Sequence, residues 1–188
     1  MAELESAGFA SQADVGENSW TKVLMKCSRE SVPIAANLAD GFTIRPLAGE
    51  NEVQAYVDLH QAVFQSKSMT TEWRQRTLQQ PAYNPDVDLV AVAPDGTLAA
   101  FCICWLNTNR AGEITGQIEP LGVSEDFRKL GLGRSILTEG LQRLKANGAQ
   151  SIYLETDNYR DEAYALYESV GFRVAKDVLV YRKDYGEF

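Results

Sequence analysis

An α+β fold is predicted by this 188-residue sequence: a mixed, mostly antiparallel sheet of about seven strands with helices on both faces, plus an extra strand at the N-terminus. Three observations predict it. Apolar runs at residues 88–93 and 98–106 flank Pro94-Asp95-Gly96-Thr97, a strong reverse-turn sequence, and a third run at 112–123 continues the meander. Two stretches, 118–137 and 150–171, each read as a strand followed by an amphipathic helix. Residues 173–183 then close the sheet as a pair of short strands.

Taken in order, residues 1–18 are small, polar and acidic without periodicity, and are expected to be disordered or loosely attached. Residues 20–27, Trp-Thr-Lys-Val-Leu-Met-Lys-Cys, are apolar enough for a strand. Residues 28–40 contain Pro33 and many small side chains, which suits a linker, and 41–47 form the first strand of the main domain. The expected organisation is an extension over 1–40 and one domain over 41–188. A lone strand carrying Trp20, Val23, Leu24 and Met25 cannot leave its ladder groups and apolar face in water, so it is expected to add to a sheet edge. Its linker of ~13 residues spans up to about 40 Å, which permits pairing within the chain or across a two-fold homodimer. Val53, Tyr56, Val57, Leu59, His60, Val63 and Phe64 recur at helical spacing, with His60 expected as a half-buried surface residue. A second short helix starts at Thr70 or Thr71 and runs through Trp73, Thr77 and Leu78 up to Pro81.

Composition removes several classes of function. A net charge of −8 argues against nucleic acid or an anionic membrane as the main partner, because both need a basic field. No apolar run approaches the ~18 residues needed to span a bilayer. Residues 1–11 lack the basic start and apolar centre of a signal peptide, so a cytoplasmic location is expected. Cys27, Cys102 and Cys104 are too few for a disulfide framework, and a bridge between Cys102 and Cys104 would strain the pleat of their strand. With a single histidine in the chain, no metal site is expected.

Residues 118–137 carry the chemistry. Ile118, Leu121 and Val123 form an apolar run ended by Ser124-Glu125-Asp126, while Ile136, Leu137, Leu141 and Leu144 recur at helical spacing. Between them, Arg128-Lys129-Leu130-Gly131-Leu132-Gly133-Arg134 places two glycines and three cations where the first N–H groups of a helix have no intrahelical partners. That is an anion site, best suited to phosphates. A Walker loop needs Gly-x-x-x-x-Gly-Lys-Ser/Thr and a dinucleotide fingerprint needs Gly or Ala at Ile136; neither requirement is met.

The remaining pattern, Arg-x-x-Gly-x-Gly after a strand ending in Leu121-x-Val123, resembles the pyrophosphate loop of the GNAT superfamily of acyl-CoA-dependent N-acyltransferases. About thirty residues later, Ala163-Tyr164-Ala165-Leu166-Tyr167-Glu168-Ser169-Val170-Gly171-Phe172 is similar to that family's Ala-x-x-Leu-Tyr-x-x-x-Gly-Phe, on a helix with Asp161 as N-cap and Gly171 as its close. The resemblance covers residues 42–184. The order of the extension, linker and first strand is similar to the join in tandem proteins of the superfamily, so the chain resembles their C-terminal unit.

The resemblance implies a sheet splayed after the third meander strand, with acyl-CoA in the gap. Pantetheine would pair with the main chain of Leu121, Gly122 and Val123. The pyrophosphate would meet the amides of Lys129, Gly131, Gly133, Arg134 and Ser135, with Leu130 and Leu132 completing the loop and Arg128 and Arg134 adding charge. Many members carry Asn three residues before the motif's alanine; Arg160 stands there in this chain and Asn158 two residues earlier, so either replaces that cofactor contact or the contact is missing. Tyr167 matches the tyrosine beside the thioester sulfur, where a phenol can protonate a leaving thiolate; a core tyrosine on the helix stripe is the other reading. Glu119 and Gln117 occupy positions of the family's base, and only Glu119 accepts a proton. It is either that base or an anchor for a substrate ammonium, with Glu113 and Glu155 as further carboxylates to weigh. The implied activity moves an acetyl group from acetyl-CoA to a primary amine of a small molecule or peptide, by direct attack in a ternary complex. A CoA-binding or regulatory module without turnover is the alternative.

Overall fold

The computed structural model describes residues 2–11, 22–157 and 160–183. In chain order these form α1 (Ala2–Ser6), β1 (Ala10–Ser11), β2 (Lys22–Ser28), β3 (Thr43–Pro46), α2 (Val53–Phe64), α3 (Thr71–Leu78), β4 (Asp88–Val92), β5 (Leu98–Thr108), β6 (Ile114–Val123), α4 (Leu132–Ala146), β7 (Ser151–Asp157), α5 (Asp161–Ser169), β8 (Arg173–Val178) and β9 (Tyr181–Arg182). Seven strands make one sheet in the order β3-β4-β5-β6-β7-β2-β8, and β1 pairs with β9. The mixed sheet with helices on both faces is as the apolar patterning predicts. Among the described residues no helix is long and apolar enough to cross a membrane.

Each face of the sheet has its own core. On one, Val53, Tyr56 and Val57 of α2 pack with Val90, Phe101 and Ile103; on the other, Ile136, Leu137, Leu141 and Leu144 of α4 pack with Leu89, Cys102, Cys104 and Ile152. Strand β5 lies between the two, so its residues 98–104 are buried on both faces and read as a continuous apolar run rather than an alternation. The Cys102 and Cys104 sulfurs lie 3.8 Å apart as free thiols, both directed at α4. Helix α3 opens at Thr70, whose Oγ1 accepts the Trp73 amide at 3.1 Å. Helix α5 departs from expectation: Arg160 takes the N-cap position and Asp161 is the first helical residue, where its carboxylate still favours the positive end of the helix.

The N-terminal strand overturns a larger expectation. Strand β2 does not add to a sheet edge; it runs antiparallel between β7 and β8, from Lys22 opposite Asp157 and Val178 to Ser28 opposite Ser151. Val23, Met25 and Cys27 point into the α4 core in strict alternation. Strand β8 therefore pairs with β2 and β9 with β1, and the two closing strands are not partners. Residues 2–11, expected to be loose, form α1 and β1, while 12–18 and Trp20 lie outside the described residues.

Residues 29–42 strap this strand across α4. Gln142 Nε2 donates to the carbonyls of Pro33 and Ile34, Ser135 Oγ donates to the Asn37 carbonyl at 2.7 Å, and Phe42 meets Phe127 edge-to-face at 5.7 Å between ring centroids. The strap thus touches both the start of α4 and the turn before it. Met25, fully buried in β2, should report the importance of this arrangement: Met25→Ala is expected to cost about 2–5 kcal/mol in urea unfolding, and deletion of residues 1–38 to lower the melting temperature. A truncated protein as stable as the full chain would show that the rest of the sheet stands without β2.

Candidate active site

One irregularity in β6 builds the site. Cys102 pairs with Leu121 and Cys104 with Ile118, so Glu119 and Pro120 together oppose Ile103. This is a β-bulge, which inserts a residue and turns the side chains that follow it to the opposite face. Before the bulge, a Cβ on Gly116 would lie 2.7 Å from Leu144 of α4; after it, a Cβ on Gly122 would lie 2.7 Å from Val63 of α2 and 2.5 Å from Phe101. Gly122 is thus required by the close approach of α2. Strand β6 pairs in parallel with β7 only at Thr115–Ser151, Gly116–Ile152 and Gln117–Tyr153. Beyond that rung the strands part.

The gap opens into a cleft of about 1240 Å³. Leu121, Gly122 and Val123 form one wall, Arg128, Lys129, Gly131, Leu132, Gly133 and Arg134 the end, and Arg160 and Tyr167 the other wall. Lys129 and Gly131 adopt left-handed backbone at φ 64° and 77°, which bends the chain into the start of α4. A Cβ at Gly131 would meet nothing within 4 Å, and at Gly133 only ordinary contacts of 3.4 Å with Leu166 and Val123. The protein itself therefore leaves room for a side chain at Gly133; a ligand against the helix N-terminus is what a side chain there would strike. The bare amides, the flanking cations and the extended wall fit a diphosphate on a long polar arm.

Two of the expected residues lie off the cleft lining, and a third is outside the described residues. The Ser135 amide already donates to the Gly131 carbonyl at 3.1 Å, being the first far enough into the helix to have an i−4 partner, and its Oγ serves the strap. Its side chain is buried and does not line the cleft. Leu130 is turned to solvent and does not line the cleft. Asn158 lies outside the described residues. Arg160 lines the wall and is paired with Asp157, Nε to Oδ2 at 3.2 Å. Val63, Phe64 and Phe127 line the cleft without having been singled out; the first two were read only as helix face, and no local pattern marks Phe127.

Tyr167 reaches the cleft from α5, its ring edge-to-face with Phe172 at 6.0 Å. Burial chiefly, then the nearby Cys102, pushes its phenol up to about 12, opposed by the Arg160 cation. Among the described residues its hydroxyl has no hydrogen-bond partner, so the proton it keeps is available to whatever enters the cleft.

Glu119 faces a second cavity of about 540 Å³ on the α2–α3 side, with His60, Trp73, Arg76, Trp105 and Gln117. Its Oε2 accepts from Gln117 Nε2 at 2.7 Å, and its carbonyl accepts from Trp105 Nε1 at 2.9 Å. His60 is not a half-buried surface residue but is enclosed among the Tyr56, Phe64 and Phe101 rings; burial, then the Arg74 charge, lowers its pKa and keeps it neutral. Arg74 of α3 is wholly buried, ion-paired with Asp88 of β4 and stacked 4.0 Å over the Tyr56 ring. Glu113 is bound up in the β5–β6 turn with Asn109, and Glu155 lines neither cavity. The two cavities share α2 and β6: His60 and Glu119 lie on one side, Val63, Phe64 and Leu121 on the other.

The model of the acetyltransferase (GNAT) family matches residues 53–172. The chain belongs to this family. Its members are acyl-CoA-dependent N-acyltransferases with acetyl-CoA as co-substrate. Among curated relatives, the mycothiol acetyltransferase of Kineococcus radiotolerans is 32% identical over 171 residues, 85% of this chain and 54% of that protein, and that of Paenarthrobacter aurescens is 27% identical over 158 residues, 80% and 48%. The chain thus spans about half the length of the curated relatives it matches. Of solved structures, a GCN5-related N-acetyltransferase from Sphaerobacter thermophilus superposes with a TM-score of 0.73 at 21% identity, covering 97% of this chain and 55% of that one. A chain of the NatC complex bound to Gag peptide and CoA superposes with a TM-score of 0.62 at 21% identity, over 72% and 86%.

The room at Gly133 generates a test. Gly133→Glu should fold, because nothing in the protein blocks a side chain there, yet it should lose acetyl-CoA binding by placing an anion among the phosphates. Unchanged affinity by calorimetry in a folded variant would remove the glycine turn from the cofactor site.

Proposed function

We propose that the chain is an N-acetyltransferase that moves the acetyl group of acetyl-CoA to a primary amine of a small molecule or peptide, by direct attack in a ternary complex. The observation that carries this reading is the shared wall: a phosphate-suited cleft and a second, Glu119-lined cavity meet along β6 and under α2. An amine in one cavity and an acyl thioester in the other can approach each other without leaving the protein. The acidic chain, at net charge −8, favours a cationic acceptor over nucleic acid.

Acetyl-CoA supplies the activated acetyl group when bound, held by the amides and cations of residues 128–134 and by the free main chain of Leu121 to Val123. The chain's own residues then handle protons. An acceptor amine arrives as an ammonium ion and must lose a proton before it can attack; the Glu119 carboxylate, held by Gln117 at the cavity wall, takes it. Tyr167 holds its proton across the neutral range because burial disfavours the phenolate, and donates it to the departing sulfur. No covalent intermediate on the protein is needed, as Cys102 and Cys104 are buried against α4 with the Cys104 thiol pushed up by burial.

Tyr167→Phe should lower kcat about 10²- to 10⁴-fold with acetyl-CoA affinity little changed. Near-normal turnover in that variant would reduce Tyr167 to a packing residue. Glu119→Gln should abolish the rise of rate with pH, and persistence of that limb would leave the carboxylate as a substrate anchor only. Since Tyr167 keeps its proton up to about 12, no alkaline fall in rate from this group is expected below that pH.

A further inference from the structure

Hydrogen bonds from three strands run to one carboxylate at the fork of the sheet. Tyr153 of β7 donates its hydroxyl proton to Gln117 Oε1 at 2.9 Å, and Gln117 Nε2 donates to Glu119 Oε2 at 2.7 Å. Asn107 Nδ2 of β5 adds a longer contact of 3.5 Å to the Tyr153 oxygen. The amide orientation of Gln117 follows from its neighbours: a carboxylate only accepts, so the NH₂ end faces Glu119 and the carbonyl end must meet a donor, which Tyr153 supplies. Tyr153 and Gln117 are also the last paired residues of β6 and β7 before the strands part.

We propose that Tyr153 is a positioning residue for acetyl transfer, acting through Gln117 to hold the Glu119 carboxylate in the acceptor cavity. Glu119 sits in the bulge, where its backbone is not constrained by regular pairing, and its side chain is exposed to the cavity; without a fixed donor the carboxylate is free to turn out to solvent. Tyr153 is suited to the task. Burial, then Glu155 and Glu119, raise its pKa, so it stays a donor. Its ring is anchored in a strand paired on both sides, with Lys26 of β2 opposite. The other charged or titratable groups lining the cavity are His60 on α2 and Arg74 and Arg76 on α3, and Glu155 of β7 acts on Tyr153 from outside it.

This inference rests on the reading of Glu119 as proton acceptor, and the test separates the two. In the full chain, kcat, KM for acetyl-CoA and pH–rate profiles are measured for Tyr153→Phe, Gln117→Met, Glu119→Gln and the Tyr153→Phe/Glu119→Gln double variant, with the amine acceptor identified in a screen of primary amines. Tyr153→Phe is expected to lower kcat about 10-fold with KM for acetyl-CoA unchanged. Its rising limb should change as well, because Gln117 without Tyr153 no longer holds its amide in place against the carboxylate. Gln117→Met should do the same, and in the double variant Tyr153→Phe should add nothing to the loss caused by Glu119→Gln. Full additivity in the double variant, or an unchanged kcat and limb in Tyr153→Phe while Glu119→Gln is inactive, would overturn the relay and leave Glu119 as base. An unaltered rate in Glu119→Gln would instead overturn the reading of the carboxylate itself and the relay with it.

Discussion

Everything in this molecule that bears on chemistry depends on β6 leaving β7 after three paired positions. Backbone donors and acceptors must be paired or met by solvent or ligand, so a ladder that stops in mid-sheet leaves a row of groups that something else must satisfy. The interruption lies between Gln117–Tyr153 and the C-terminal ends of both strands. Because β6 and β7 are parallel, the chain crosses over between them through α4, and that helix must begin at the same end where the strands diverge. Free main chain and free helix amides therefore face one space. The bulge at Glu119–Pro120 adds the second half of the arrangement: residues 117 and 119 alternate toward α2 and α3, and beyond the bulge Leu121 packs with the α4 core and Gly122 meets α2.

Two further supports fix the walls of that space. On the acceptor side, the buried pair of Arg74 and Asp88 ties α3 to the sheet beneath it, with the Tyr83 hydroxyl also donating to Asp88 at 2.7 Å. Removing either charged partner would leave the other uncompensated in an apolar setting, a loss on the order of 3–5 kcal/mol, so α3 and the Trp73 side chain it carries have little freedom to wander. On the cofactor side, the support comes from outside the stretch that defines the family. Strand β2 and its strap precede residue 53, yet they complete the sheet beside β7 and bond to Ser135 in the first turns of α4. The glycine turn is held from behind by a segment that has no place in the motif.

The sequence by itself determined what depends on near neighbours along the chain. Period-3.6 apolar spacing marked α2, α4 and α5, Pro-Asp-Gly-Thr marked the β4–β5 hairpin, and the glycines and cations of residues 128–134 marked a phosphate-suited turn, because each is decided by a few adjacent residues and their backbone preferences. Tyr167 and Glu119 were legible as candidates from their distance to those motifs. Only the tertiary structure decided what depends on residues far apart in the chain. An apolar strand such as β2 satisfies its pattern equally at an edge or between two strands, so its position between β7 and β8 carries no local sign. The Ser135 amide is taken because of where α4 starts, one residue after Gly131, and helix starts are the least certain boundary in any sequence. The bulge is set by how β5 and β6 register, and Glu119, where it begins, shares a cavity with Trp73, Trp105 and His60, drawn from three other elements. Tyr153 shows the limit most plainly: nothing near it in sequence hints at a role, and only the fork of the sheet puts its hydroxyl against Gln117.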